Sequence, residues 1–198
     1  GFQIKDINFD KVYGYSNVSQ NISIKNNGSN PLTIQNVTLD NYDSFTVEGK
    51  SQDIVEPGAT NTSWVIKVKE GLNVGTYTAI LTVTDENNNS YVGYVTINVE
   101  EKNLPNLNIS FTDKLYYGES NDVDPVITGI DGLNSSDYKI EYSKTDTEDW
   151  SSTRPTLVGN YNIKITITNT NYVENTAITE FRILPTEKVV KIVASSSS

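Results

Sequence analysis

The sequence contains no cysteine, no histidine and no methionine in 198 residues. Without histidine, Ser-His-Asp and Cys-His nucleophilic catalysis and the usual zinc clusters are excluded, because each needs an imidazole as base or ligand. Without cysteine there is no disulfide, so any stable domain is held by packing alone. That suits the cytosol and a bacterial surface equally, and cysteine usage leaves the compartment open. The missing methionine, with Gly1 at the start, reads as a segment excised or processed from a longer product, with room for targeting and anchoring sequences on either side of it.

No stretch approaches the ~18 apolar residues of a membrane span, so no membrane insertion is expected. A basic face is missing too. Residues 1–100 hold six cations against eleven acids and residues 106–185 six against twelve, within a net charge of −10. Nucleic acid and anionic membranes are bound through clustered Lys and Arg, so no nucleic acid partner is expected. The charge serves solubility. No amphipathic helix pattern occurs anywhere.

What the chain does have is Thr, Tyr, Ile and Val, which suit a pleated half-buried surface, and Asn and Gly, which supply turns. The organising stretch is residues 71–100, GLNVGTYTAILTVTDENNNSYVGYVTINVE, because residues 158–184, VGNYNIKITITNTNYVENTAITEFRIL, repeat its pattern. Val74-Gly75-Thr76-Tyr77 aligns with Val158-Gly159-Asn160-Tyr161, and an alternating strand, an Asn-rich turn and a second strand follow each. Such a unit reads as the terminal hairpin of a sandwich, used twice. The expected fold is therefore all-β: two tandem immunoglobulin-like β-sandwich domains, residues 1–100 and 106–185, joined by a short linker at 101–105 and followed by a flexible Ser-rich tail at 186–198. Modules of this size fold without covalent staples. The short Pro-containing linker predicts an elongated, monomeric segment of a larger protein.

Along the first module, residues 2–9 read as one strand, and residues 18–25 as another with Val18, Gln20, Ile22 and Ile24 inward. Asn26-Asn27-Gly28 is the strongest hairpin signal. Residues 32–39 change their inward face, as a bulge would make them do. Glu56-Pro57-Gly58 predicts a type II turn, and Trp64, Ile66 and Val68 share a core-facing side. In the second module, 107–111 and 114–118 begin the sheet structure, and Tyr138, Ile140 and Tyr142 alternate in a further strand.

Tyr77 and Tyr161 each follow a glycine by two positions at the start of a penultimate strand. That is the place of a tyrosine corner, whose hydroxyl bonds back to the preceding loop, so both are assigned a structural role. Tyr116, Tyr117 and Trp150 are the candidate ligand contacts, an aromatic platform for a sugar ring, set against ordinary packing. No catalytic residue, metal ligand or cofactor site is assigned. Residues 85–89 imitate a calcium loop, but Ser90 stands where Gly is needed and Thr96 where a bidentate Glu belongs. Asp122 and Asp124 form at most a weak calcium pair. Lys5 and Asn98 lie on first and last strands, yet Asn98 alternates outward and is a poor partner for an isopeptide crosslink.

The residues Gly14-Tyr15, Asn26-Asn27-Gly28, Glu56-Pro57-Gly58 and Gly75-Thr76-Tyr77 come in an order that resembles tandem immunoglobulin-like repeat modules on the surface of Gram-positive bacteria. Tyr117-Gly118, Gly159-Asn160-Tyr161 and Phe181-Arg182-Ile183 are similar to the mostly-β repeats stacked in large adhesin-like proteins. The resemblance implies extracellular or cell-surface display as a non-catalytic structural or adhesive stalk, with an unidentified protein or glycan partner. Its alternative is a carbohydrate-binding accessory module of a secreted enzyme.

Overall fold

A computed structural model describes residues 1–186; the rest of the proposed tail lies outside the described residues. The protein is all-β and divides into two compact units, Gly1–Lys102 and Asn103–Ser198. The division falls inside the proposed linker. Leu104, placed in that linker on sequence, is buried, and its carbonyl accepts a hydrogen bond from Asn175 Nδ2 at 2.8 Å.

The first unit runs β1 (Phe2–Ile4), β2 (Ile7–Val12), β3 (Ser19–Asn21), β4 (Ile24–Asn26), β5 (Leu32–Leu39), β6 (Phe45–Glu48), β7 (Asp53–Val55), β8 (Thr60–Asn61), β9 (Val65–Val68), β10 (Gly75–Asp85) and β11 (Ser90–Glu100). One layer is a five-stranded sheet in the order β2-β11-β10-β5-β7. The facing layer consists of β1-β4-β8 and β3-β9-β6. These two sheets form one interrupted layer, because residues 19–26 run antiparallel along 60–68 with a one-residue change of stagger between Asn21↔Val65 and Ile24↔Asn61. This is an immunoglobulin-like sandwich. Ile22, Ile24, Phe45 and Ile66 from one layer and Ile34, Leu81, Val83, Val95 and Ile97 from the other are fully buried in one core.

Three features depart from the sequence expectations. Residues 2–9 are two strands, β1 in one layer and β2 in the other, so the chain changes sheets at Lys5-Asp6. In the 18–25 stretch Val18, Ile22 and Ile24 are buried, but Gln20, in phase with them, is exposed. Asn26-Asn27-Gly28 is no hairpin. β4 pairs with β1 and β8 whereas β5 pairs with β10 and β7, so the segment carries the chain across from one layer to the other. The buried Asn26 side chain makes this corner: Nδ2 donates to Asn30 O at 2.8 Å and Val55 O at 2.9 Å, while Oδ1 accepts from Gly28 N at 2.9 Å. A side chain that satisfies three backbone groups replaces the ladder bonds that a hairpin would have made.

Other elements follow the local chemistry. Ala59 N donates to Glu56 O at 3.0 Å and Gly58 has φ +77°, the left-handed third position that a type II turn reserves for glycine. Opposite Thr84 and Asp85, β5 presents Asn36 and then Ile34, which leaves Gln35 as the extra residue of a bulge and moves burial from Ile34 to Val37 and Leu39.

The second unit contains β12 (Asn108–Ser110), β13 (Leu115–Tyr116), β14 (Val126–Thr128), β15 (Tyr138–Lys144), β16 (Gly159–Ile167) and β17 (Thr176–Leu184), with 3-10 turns at Ser120–Asp122 and Ser135–Asp137. Its main sheet is β13-β17-β16-β15, and the second layer is the two-stranded ribbon β12-β14. Thr179 Oγ1 donates to Ile109 O at 2.6 Å and ties the ribbon to β17. Ile109, Leu115, Ile163, Ile165, Phe181 and Ile183 fill the core between them. In both units an early strand joins the last strand in parallel, β2 on β11 and β13 on β17.

Candidate functional site

The two aligned tyrosines occupy the same place in their hairpins. Tyr77 Oη donates to Asn73 O and Tyr161 Oη to Leu157 O, each at 2.8 Å and each to the carbonyl four residues upstream. Tyr161 is buried and Tyr77 half-buried. Tyr15, noted on sequence only within the Gly14-Tyr15 pair and assigned no role, acts on the same loop as Tyr77: its hydroxyl donates to Lys69 O and accepts from Leu72 N. The loop is thereby pinned from both sides. Burial pushes the Tyr15 hydroxyl above the ordinary tyrosine range, against the opposing bond from Leu72, and nearby Glu70 adds to the rise. The available signal was Gly14 just before it, which takes the left-handed conformation at φ +84°.

The 85–89 stretch is a turn locked from inside. Asp85 is fully buried; Oδ1 accepts from Asn87 N at 2.8 Å and Asn89 N at 3.0 Å, and Oδ2 accepts from Tyr91 Oη at 2.8 Å. Burial pushes this carboxyl up, but the Tyr91 hydroxyl and the two amides outweigh it and hold the group below the usual carboxylate range. Asn88 takes the left-handed conformation at φ +62°. Among the described residues no three Asp or Glu side chains come together as metal ligands. Asn98 Nδ2 donates to Asp10 Oδ1 at 3.0 Å and its Oδ1 accepts from Thr76, so its amide is engaged on the outer side of the sheet rather than with Lys5.

The aromatic trio does not come together. Tyr116 ends β13 and Tyr117 follows it, half-buried and exposed respectively. Trp150 lies beyond β15, where Tyr142 pairs with Ser151. β13 and β15 are opposite edges of the four-stranded sheet, about 14 Å apart at ~4.8 Å per strand spacing. Lys164 Nζ also sits 4.0 Å from the centroid of the Trp150 ring, so a cation already occupies that face. No single sugar ring spans these three residues.

A concave site exists elsewhere in the second unit. A cavity of about 360 Å³ is lined by Tyr142, Lys144, Asp149, Arg154, Leu157 and Tyr161 among others. Arg154 is fixed in place. Its Nη2 donates to the carbonyls of Ser120 and Val123, and its guanidinium carbon stands 5.1 Å from the centroid of the Phe111 ring. Tyr142 packs edge-on against Phe181 at 6.1 Å, and Tyr161 stacks on the same ring at 5.6 Å. Burial raises the Tyr142 hydroxyl above its ordinary range, with Arg154 pulling it down and Asp124 pushing it up. Sequence reasoning missed Arg154 because 145–158 has no periodicity, and it read Tyr142 only as a strand residue alternating with Tyr138 and Ile140. The one hint was a rare arginine in a Lys-rich chain.

No helix among the described residues is long and apolar enough to cross a membrane. No protein-family model and no curated protein matches the sequence. Among solved structures, the chain is similar to extracellular cadherin domains 1–4 of protocadherin gamma B7, at 17% identity and TM-score 0.39 over 93% of this chain and 51% of that one. It is similar to the mouse clustered PcdhgC3 EC1-3 structure at 13% identity and TM-score 0.43, over 94% of this chain and 68% of that one. The Pseudomonas aeruginosa CupB2 chaperone matches at 12% identity and TM-score 0.37, over 92% of this chain and all of its own. The chain spans about half the length of the protocadherin gamma B7 structure. Likeness at this level has no bearing on ligand, partner or role.

Proposed function

We propose that the chain is a non-catalytic structural or adhesive segment of a bacterial surface or secreted protein, acting outside the cell as a spacer under tension. The supporting observation is the parallel ladder between β2 and β11, which runs from Ile7↔Val95 to Val12↔Glu100. Pulling the chain from its two ends draws parallel neighbours in opposite directions. The ladder bonds are then loaded together in shear, whereas an antiparallel terminal pair opens one bond at a time.

The second unit repeats the arrangement with a shorter ladder, Leu115↔Ile183 and Tyr116↔Leu184, extended by Tyr117 N donating to Leu184 O at 2.8 Å. Single-molecule pulling from the two ends tests this reading. The expected record has two unfolding events, the second unit yielding first and the first unit at clearly higher force. Two events at the same low force would remove the mechanical argument. The alternative role, a carbohydrate-binding accessory, has lost its aromatic platform and has only the cavity beside Arg154 in its favour.

A further inference from the structure

We propose that the cavity beside Arg154 and Tyr161 binds a carboxylate-bearing sugar residue of a glycan. This is independent of the spacer reading, since a ladder resists shear whether or not the cavity is filled. At about 360 Å³ the cavity stands at the small end of ligand clefts, which run ~300–1,000 Å³ and so take one ring rather than a long chain segment.

The charge is the first argument. In a chain of 25 acids, neither Arg154 nor Lys144 has a carboxylate within ion-pair distance among the described residues. Only the Nη2 of Arg154 is used by protein acceptors, so Nε and Nη1 are available. The guanidinium is also preorganised between two carbonyls and the Phe111 ring, which spares a ligand the cost of ordering it. With both Nη2 hydrogens spent on carbonyls, Arg154 meets a ligand carboxylate through a single charge-assisted bond from Nε or Nη1.

The second argument is polar and apolar complementarity. Tyr142 is only 8% exposed, yet its hydroxyl makes no hydrogen bond to any described residue and it lines the cavity. The hydroxyl reaches solvent at the cavity and is open to a ligand hydroxyl. Asp149 accepts from sugar hydroxyls, which a simple anion does not offer. Leu157 is 64% exposed at the cavity lip and supplies, with the Tyr161 ring, the apolar surface against which the CH groups of a sugar ring pack.

The test is an NMR titration of the whole chain with glucuronate, glucose and acetate in parallel. Glucuronate is expected to shift the amides of residues 142–144 and 153–157 saturably, with a Kd of about 1 mM, an affinity reachable by one ring with a paired carboxylate. Arg154→Gln should weaken it by about tenfold through loss of that charge-assisted bond. Lys144→Ala, an exposed position, should weaken it severalfold and keep the fold intact, so it carries the charge test if Arg154→Gln does not fold. Acetate binding as tightly as glucuronate overturns the sugar, glucose binding as tightly overturns the carboxylate, and no saturable shift in these residues overturns the site.

Discussion

Tyr77 and Tyr161 stand at one register of two hairpins: each lies opposite the residue twenty positions later, Ile97 and Phe181, and each hydroxyl reaches the carbonyl four positions earlier at 2.8 Å. The bond fixes how the preceding loop enters the penultimate strand. Tyr161 is buried, whereas Tyr77 is half-buried and water can replace its hydroxyl at Asn73 O. Tyr161→Phe should therefore cost its unit about 1–1.5 kcal/mol and Tyr77→Phe about 0.5 kcal/mol, within the range for single hydrogen bonds. Urea unfolding of each variant measures this, and the reverse ranking would contradict the burial argument.

The Asp85 turn gives the first unit an acid limit. Its folded pKa is below the unfolded value, so its stabilisation is fully present above the unfolded pKa of about 3.9 and is lost as pH falls through the folded value. Tyr91 behaves in the opposite sense. Burial and its bond to Asp85 raise its hydroxyl, so that contribution is whole below about pH 10 and is lost as pH rises through the folded value. Tyr91→Phe removes one donor from a buried carboxylate and should cost about 1–3 kcal/mol at neutral pH while making the acid limb shallower. Stability measured from pH 2 to pH 7, about the range in which carboxylates titrate, decides it; an unchanged acid limb would show that Tyr91 is not what holds Asp85 ionised.

Gly49 exists for the sake of Trp64. A methyl group built at Gly49 would fall inside the indole ring, which packs flat on this stretch of backbone. Gly49→Ala should cost about 1–3 kcal/mol, as overpacking does, and should shift Trp64 fluorescence as the ring is displaced. Trp64 Nε1 has no hydrogen-bond partner, so Trp64→Phe loses packing but no polar bond. Calorimetry that found Gly49→Ala neutral would mean the ring has room to move.

The hairpins were legible in the sequence because an alternating pattern of eleven residues, as in β10 and β11, leaves one face to bury. The Glu56-Pro57-Gly58 turn was legible because its backbone angles admit few residue types. Long-range partners were not. Asn27-Gly28 has the local chemistry of a hairpin, but β4 finds β1 and β8 instead, a choice made by packing between layers. The Lys5-Asp6 sheet change is hidden for the same reason, since Phe2, Ile4, Ile7 and Phe9 are all buried although the backbone between them crosses over. Tyr116, Tyr117 and Trp150 looked like one platform only while the order of strands in the sheet was unknown. Arg154 acquires meaning from carbonyls more than thirty residues away.

Asn26 tests how much of the crossing depends on one side chain. It is fully buried, and its amide donates to two carbonyls on either side of the corner while its oxygen holds Gly28 N. Alanine abandons all three backbone groups in the interior, and at ~1–3 kcal/mol for a buried group left unpaired the loss should exceed that of any tyrosine variant above. Aspartate of the same shape should be worse than alanine at neutral pH. It keeps the acceptor for Gly28 but sets a buried negative oxygen against the carbonyls of Asn30 and Val55, and burying a charge among acceptors costs more than leaving them empty. Lowering the pH protonates that carboxyl and restores a donor, so Asn26→Asp should gain stability relative to Asn26→Ala as the pH falls. Unfolding curves for both variants that stay parallel across pH would show that the Asn26 amide does not carry the corner.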